Sequence, residues 1–305
     1  MKFLQIMRPL HWTKNMFVFA ALVFGHKLNV PLALGRAIGG FACFCLAASA
    51  VYILNDIIDR QSDRLHPEKC KRPIASGRVT IGSALVVAVL CAAVAITAAF
   101  LLGRAFASII LIYIMLMVSY SLLLRRIMIL DCVVIAIGFC LRAVAGAVVV
   151  EVFISQWLTI CTFALCLFLA FGKRRSEIAI LKQDRESFRN TLTVYTPELL
   201  AHMLNVTSGL AVVCFLIYAM DNRTLQTFGN NHLVYTTPLV LYCIFRFSSL
   251  IQTGKYPDPV QLILHDLPFQ IGFVAWVIAS VAIVYADKLG IILVAFSNDE
   301  IWLMI

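Results

Sequence analysis

LNDIIDRQSDRLHPEKCKRPIASG, Leu54 to Gly77, closes a long apolar run and turns at once into a dense mixture of acids and bases. Asn55, Asp59 and Asp63 step by four and Asp56 lies three before Asp59, so on a helix they form one oxygen-rich stripe. The apolar run ahead of them is long enough to cross a bilayer, which puts the stripe at the mouth of a membrane helix. Carboxylates this close repel each other, and their burial near lipid is costly. A hard divalent cation relieves both: Mg2+ takes oxygen ligands, usually one or two carboxylates with water and substrate phosphate. Asn55, Asp59 and Asp63 are therefore candidate Mg2+ ligands, and Asp56, Asp59 and Asp63 candidate catalytic residues. The alternative is an ordinary solvated helix end. Such an end would mix signs within the stripe, and Arg60 and Arg64 beside it keep that alternative open.

The rest of the chain agrees with a membrane setting. Of 305 residues, 62% are hydrophobic and 13% charged, with a mean hydropathy of +0.92. That leaves too little polar surface for a soluble domain of this size. The expectation is one all-α polytopic membrane domain over residues 1–305, with no soluble module. The opening MKFLQIMRPLHWTKN has no apolar core followed by a small-residue cleavage site, so no cleaved signal peptide is expected. Nine of the ten cysteines lie in apolar segments, where Cys packs as a small hydrophobe; Cys70 alone lies in a polar loop, and no CxxC pair suggests zinc or a disulfide framework.

Nine apolar runs reach membrane-spanning length, at about 14–30, 36–58, 80–102, 104–124, 130–150, 155–172, 198–220, 234–252 and 268–287. The first is short and broken by Gly25, His26 and Lys27. With the N-terminus inside, 19 of the 25 Lys and Arg fall on inner segments, five fall outside, and Arg142 is left within the fifth span. That asymmetry predicts a cytoplasmic N-terminus and cytoplasmic loops after spans 2, 4, 6 and 8. The inner face also gathers acids, among them Glu68, Asp131, Glu177, Asp184, Glu186, Glu198, Asp258 and Asp266. Topology signalling does not require them, so this face reads as a site. A transporter would place its polar groups near the bilayer midplane. Here they gather at one face, and Arg142, nearly alone inside, should face the bundle interior or pair. Nothing calls for a nucleic-acid partner, and a homo-oligomer is compatible with the sequence.

The pattern NDxxDxxxD at Asn55–Asp63 resembles the signature of the UbiA-like intramembrane transferase superfamily. That resemblance implies a helical bundle with a central cavity open near the inner face, and a substrate diphosphate bound through Mg2+. Members that prenylate aromatic acids such as 4-hydroxybenzoate carry a second, DxxxD-like motif after span 6. Here FGKRRSEIAILKQDRESFRNTLTVYT, residues 171–196, has no DxxxD and is rich in Lys and Arg instead. RPLHWTKN at 8–15, NDIIDRQSDRLHPEKCKRPIASG at 55–77, YSLLLRRIMILD at 120–131, GFCLRAVAGAV at 138–148, GKRRSE at 172–177 and DPVQLILHDLP at 258–268 are similar to the decaprenyl-phosphate phosphoribosyltransferase branch.

The branch resemblance implies transfer of 5-phosphoribose from phosphoribosyl diphosphate to a polyprenyl phosphate, with release of diphosphate, in the inner membrane, for cell-envelope glycans. It carries over as candidate substrate contacts Lys14, Asn15, Arg72, Tyr120, Arg125, Lys173, Arg174 and Glu177. Arg125 stands where the branch usually has Lys, which keeps a phosphate contact but changes its geometry. No histidine is nominated: His11, His66 and His265 are expected at the inner face, with His66 shaping a loop. The competing enzyme reading, prenyl transfer to an aromatic acceptor, is disfavoured by the missing acidic motif.

Overall fold

The computed structural model describes residues 2–66, 69–180, 195–253 and 259–285. Expectations that fall on Glu68, Lys182, Asp184, Arg185, Glu186, Arg189, Lys255 and Asp258 lie outside these residues. The described chain is helical throughout. A short α1 (Lys2–Ile6) leads into a 3₁₀ segment (Pro9–Phe19) and α2 (Ala20–Phe24). Then follow α3 (Pro31–Ile58), α4 (Arg60–Leu65), α5 (Ile81–Leu102), α6 (Arg104–Leu122), α7 (Leu130–Val149) and α8 (Gln156–Ile180). The last group is α9 (Pro197–Met220), α10 (Asn222–Phe228), α11 (Thr237–Thr253), α12 (Pro259–His265) and α13 (Leu267–Val284).

Eight described helices are long and apolar enough to cross a membrane: α3, α5, α6, α7, α8, α9, α11 with the 3₁₀ turn before it, and α13. This makes the chain an integral multi-pass membrane protein. The boundaries follow from local chemistry. Thr80, Thr196 and Asp266 cap α5, α9 and α13 by accepting from the backbone N–H three residues on. Pro31, Pro197 and Pro268 sit in first turns, where a missing N–H costs nothing. Gly103, at φ +145°, breaks what would otherwise be one rod into α5 and α6.

Two expectations need correction. The run at 14–30 is not one long α-helix but the 3₁₀ segment followed by α2, so the described spans number eight rather than nine. Tertiary contacts override the hydropathy here. Gly146 of α7 lets the segment approach so closely that a Cβ there would lie 2.1 Å from the carbonyl oxygen of Val18. Trp12 donates to Ser49 Oγ at 3.1 Å and Asn15 to Cys45 Sγ at 3.3 Å, tying the segment to α3 as well. The second correction concerns GKRRSE, expected as loop. It continues α8, because no breaker follows Gly172 and Arg174 pairs with Glu177 one turn on.

Packing between spans rests on small residues, as it must where lipid removes the hydrophobic incentive for helices to associate. α3 buries Ala33, Ala37, Gly40, Ala47 and Ala48. α5 answers with Ala84, Ala88, Ala95 and Ala99. The large side chains Leu85, Val86, Val89 and Leu90 on the other face of α5 are exposed, as expected of a surface meant for lipid.

Candidate active site

One end of the bundle collects most of the described charge. α3 ends at Ile58 with Asp59 as its C-cap, and the turn into α4 keeps its hydrogen bonding, with Asp59 N–H donating to Asn55 O and Asp63 N–H to Asp59 O, both at 2.8 Å. The acids therefore stay in helical register, but they do not all point one way. Asp56 and Asp63 are buried and converge on Arg72, whose Nη1 donates to Asp56 Oδ1 at 3.1 Å and to Asp63 Oδ2 at 2.7 Å. Arg8, just before the 3₁₀ segment, forms a second ion pair with Asp56. Asp59 turns aside and accepts two parallel bonds from Arg125, at 2.8 and 2.7 Å. This fork geometry is the strong form of a guanidinium–carboxylate pair.

Asp59 thus pairs separately from Asp56 and Asp63. Among the described residues no three Asp, Glu, His or Cys side chains form a ready-made metal cage. The donor set still suits Mg2+, which rarely uses an all-protein cage and accepts one or two carboxylates beside substrate phosphate. Asn55 Oδ1 is buried without a hydrogen-bond partner among the described residues. A buried neutral oxygen at the helix end that carries these carboxylates fits a hard cation.

The remaining candidates fall into two groups. Lys14, Lys173, Arg8 and Arg72 surround His11, whose pKa falls from 6.5 to about 4, first through burial and then through these four cations. Arg8 and His11 were not nominated from sequence. Arg8 read as a topology charge, although RPLHWTKN holds both residues. Tyr120 lies within electrostatic reach of both Arg125 and Arg174. Lys173 is exposed. Arg174 and Asn15, by contrast, face inward. Arg174 is buried against Asp131, with Nε 3.0 Å from Oδ2, an ion pair by distance rather than an aligned hydrogen bond, and it also binds Glu177. Asn15 is fully buried and accepts from Arg142 Nε at 2.8 Å. His66 accepts from Lys69 N–H in the loop after α4. His265 bonds the Gln261 carbonyl on its own helix.

Charged residues gathered at one end of a helical membrane bundle, with an oxygen-rich motif on one helix and cations facing it, define an intramembrane transferase fold. Residues 15–271 match the UbiA prenyltransferase family, and the chain belongs to that family. It is similar to two proteins named decaprenyl-phosphate phosphoribosyltransferase. The one from Corynebacterium glutamicum is 31% identical over 92% of this chain and 86% of its own length. The one from Mycolicibacterium smegmatis is 30% identical over 90% of this chain and 89% of its own. A solved UbiA homolog from Archaeoglobus fulgidus, bound to DMAPP and Mg2+, shares the fold with a TM-score of 0.72 at 17% identity, covering 93% of this chain and 99% of that one.

Proposed function

We propose that the chain transfers 5-phosphoribose from phosphoribosyl diphosphate to a polyprenyl phosphate and releases diphosphate, supplying a lipid-linked sugar for cell-envelope glycans. The carrying observation is the meeting of two kinds of charge at one end of the bundle: the Asp56, Asp59 and Asp63 acids, and the cations Arg8, Lys14, Arg72, Arg125 and Lys173 around them. A donor with a diphosphate and a further phosphate presents more negative charge than a prenyl diphosphate, and fixed cations suit it. The names of the bacterial relatives agree.

In this reading Asn55, Asp59 and Asp63 would hold Mg2+, which supplies charge neutralisation for the departing diphosphate. Arg72 and Arg125, now occupied by carboxylates, exchange those partners for diphosphate oxygens. Lys14, Tyr120 and Lys173 orient the donor, with Glu177 and Arg174 fixing the end of α8 beneath it. The bond from ribose C1 to the diphosphate oxygen breaks, and that oxygen keeps the electron pair. An oxygen of the acceptor phosphate bonds C1 from the opposite face, with inversion. The acceptor is an anion near neutral pH, so no general base is required, and His11, held neutral, is not asked to be one.

Purified protein should turn over phosphoribosyl diphosphate with a short polyprenyl phosphate and show no reaction with prenyl diphosphate and 4-hydroxybenzoate. Efficient 4-hydroxybenzoate prenylation would sink the reading. The acid–base face is assigned to the cytoplasmic side of the inner membrane. Labelling of Cys70 by an impermeant thiol reagent should require permeabilised cells, and labelling in intact cells would reverse the orientation.

A further inference from the structure

Arg142 carries a charge that the site described above does not use. It is buried within α7. Its Nε donates to Asn15 Oδ1 at 2.8 Å, Nη1 to the Gly138 carbonyl at 2.7 Å and Nη2 to the Tyr113 hydroxyl at 2.7 Å. The Tyr113 and Phe139 rings lie 4.7 and 5.0 Å from its Cζ. Every one of these partners is neutral. Asp56, Asp63, Asp131, Arg174 and Asp266, the other buried charged side chains described, each have an oppositely charged neighbour. Arg142 makes no ion pair among the described residues.

A desolvated cation without a counter-charge is costly in a membrane domain. Neutral hydrogen bonds and ring faces offset only part of that cost. An arriving anion would offset the rest.

The position says which anion. Because Nη1 reaches back to Gly138, the guanidinium lies about seven residues, or roughly 10 Å, along the helix from Asp131. Tyr52, one turn before Asp56 on α3, is within electrostatic reach of both Arg142 and Arg8. The His11 ring packs against Tyr52 at 5.4 Å. Arg142 therefore forms a second cationic tier, deeper in the bundle than the first and separated from it by Tyr52. The Phe17–Phe139 pair, with ring centroids 5.2 Å apart, adds apolar surface beside it.

We propose that Arg142, oriented by Asn15 and Tyr113, binds the phosphate of the lipid acceptor: a phosphate monoester on an apolar chain, entering from the bilayer beneath the donor. The proposal rests on the phosphoribosyl-transfer reading and adds to it the acceptor's site. A guanidinium is suited to phosphate, and an acceptor lacking that charge would not need one at this depth.

The test is equilibrium binding to the detergent-purified full chain of farnesyl phosphate, farnesol, inorganic phosphate and phosphoribosyl diphosphate. Wild type should bind farnesyl phosphate about tenfold or more tighter than farnesol, the worth of a charge-assisted hydrogen bond. Arg142→Gln should erase that difference while changing phosphoribosyl diphosphate binding by less than about twofold, as expected for an effect confined to one phosphate contact. Asn15→Asp supplies an internal counter-charge with almost no change of shape. It should melt no lower than wild type and still lose the preference for farnesyl phosphate. This second variant keeps the test sharp if Arg142→Gln fails to fold. Wild-type farnesyl phosphate binding in both variants would overturn the proposal, as would equal losses of donor and acceptor. So would inorganic phosphate competing as well as farnesyl phosphate, which would make the site a general phosphate pocket. A wild type blind to the phosphate of farnesyl phosphate would overturn the acceptor reading itself, and Arg142's part with it.

Discussion

Two acid–arginine clusters lie at the same end of the bundle, and they differ in access to water. In the first, Arg8, Arg72 and Arg125 hold Asp56, Asp63 and Asp59, and the arginine side chains are 20–30% exposed. In the second, Arg174 and Asp131 are 3% and 0% exposed, and Tyr195 closes the cluster by donating to Asp131 Oδ1 at 2.9 Å while accepting from Ile129 N–H at 2.8 Å. Burial raises the Tyr195 phenol pKa, so it remains a donor. The open cluster can exchange a guanidinium for a ligand, because a released arginine finds water. The sealed one cannot, because a released partner would be a bare charge in low dielectric. Similar residue chemistry thus yields an exchangeable site in one place and a brace in the other, joining the start of α7, the end of α8 and the approach to α9.

The sharpest way to break this contrast is at the open cluster. Asp59→Asn and Asp63→Asn should each reduce turnover on the order of a hundredfold or more, since a metal at these oxygens is expected to supply several kcal/mol of transition-state stabilisation. Their melting temperatures should stay near wild type, and chelation should abolish activity of the wild-type chain. Full turnover in EDTA, or unfolding of either variant, would remove the distinction between site and brace.

The second test falls on the brace. Arg174→Ala leaves Asp131 buried and uncompensated, a change that typically costs about 3–5 kcal/mol. Arg125→Ala leaves Asp59, whose side chain is 29% exposed and open to water, and should cost no more than about 1 kcal/mol, its penalty appearing in turnover instead. Denaturant titration in micelles reads both. Equal stability losses would mean that the two clusters do not differ as their burial suggests.

Much of this was legible in the sequence because membrane constraints are written in one dimension. Span length, basic-residue asymmetry and the step-of-four acids all depend on near neighbours, and the eight long helices lie close to the expected runs. What stayed hidden depends on distant pairing. Arg8 meets Asp56 across 48 positions, and nothing local distinguishes it from an ordinary topology charge. Arg174 and Lys173 are adjacent and chemically alike, yet one is sealed against Asp131 and the other is exposed; the helical continuation of α8 decides which. Asn15 follows Lys14, but the 3₁₀ segment turns it inward to Arg142. That segment itself follows from Gly146, more than a hundred residues away, admitting close backbone approach.

The smallest expected effect concerns His11, which borders the open cluster. Its pKa is 6.5 when unperturbed and about 4 in the folded chain. Between these values the unfolded chain binds more protons at this position than the folded one, so stability rises with pH across the window. On acidification the contribution is fully present above about pH 6.5 and is lost progressively toward pH 4. Carboxylates obscure the lower part of that range, so the useful comparison runs from pH 6.5 to pH 5. Over that interval the melting temperature of wild type should fall more than that of His11→Gln, which cannot take up the proton. A bound polyanionic donor would counter the charges of Lys14, Arg8, Lys173 and Arg72, so donor should shrink the difference between the two proteins. Parallel pH slopes with and without donor would mean that those cations do not act on His11, and would separate the 3₁₀ segment from the open cluster.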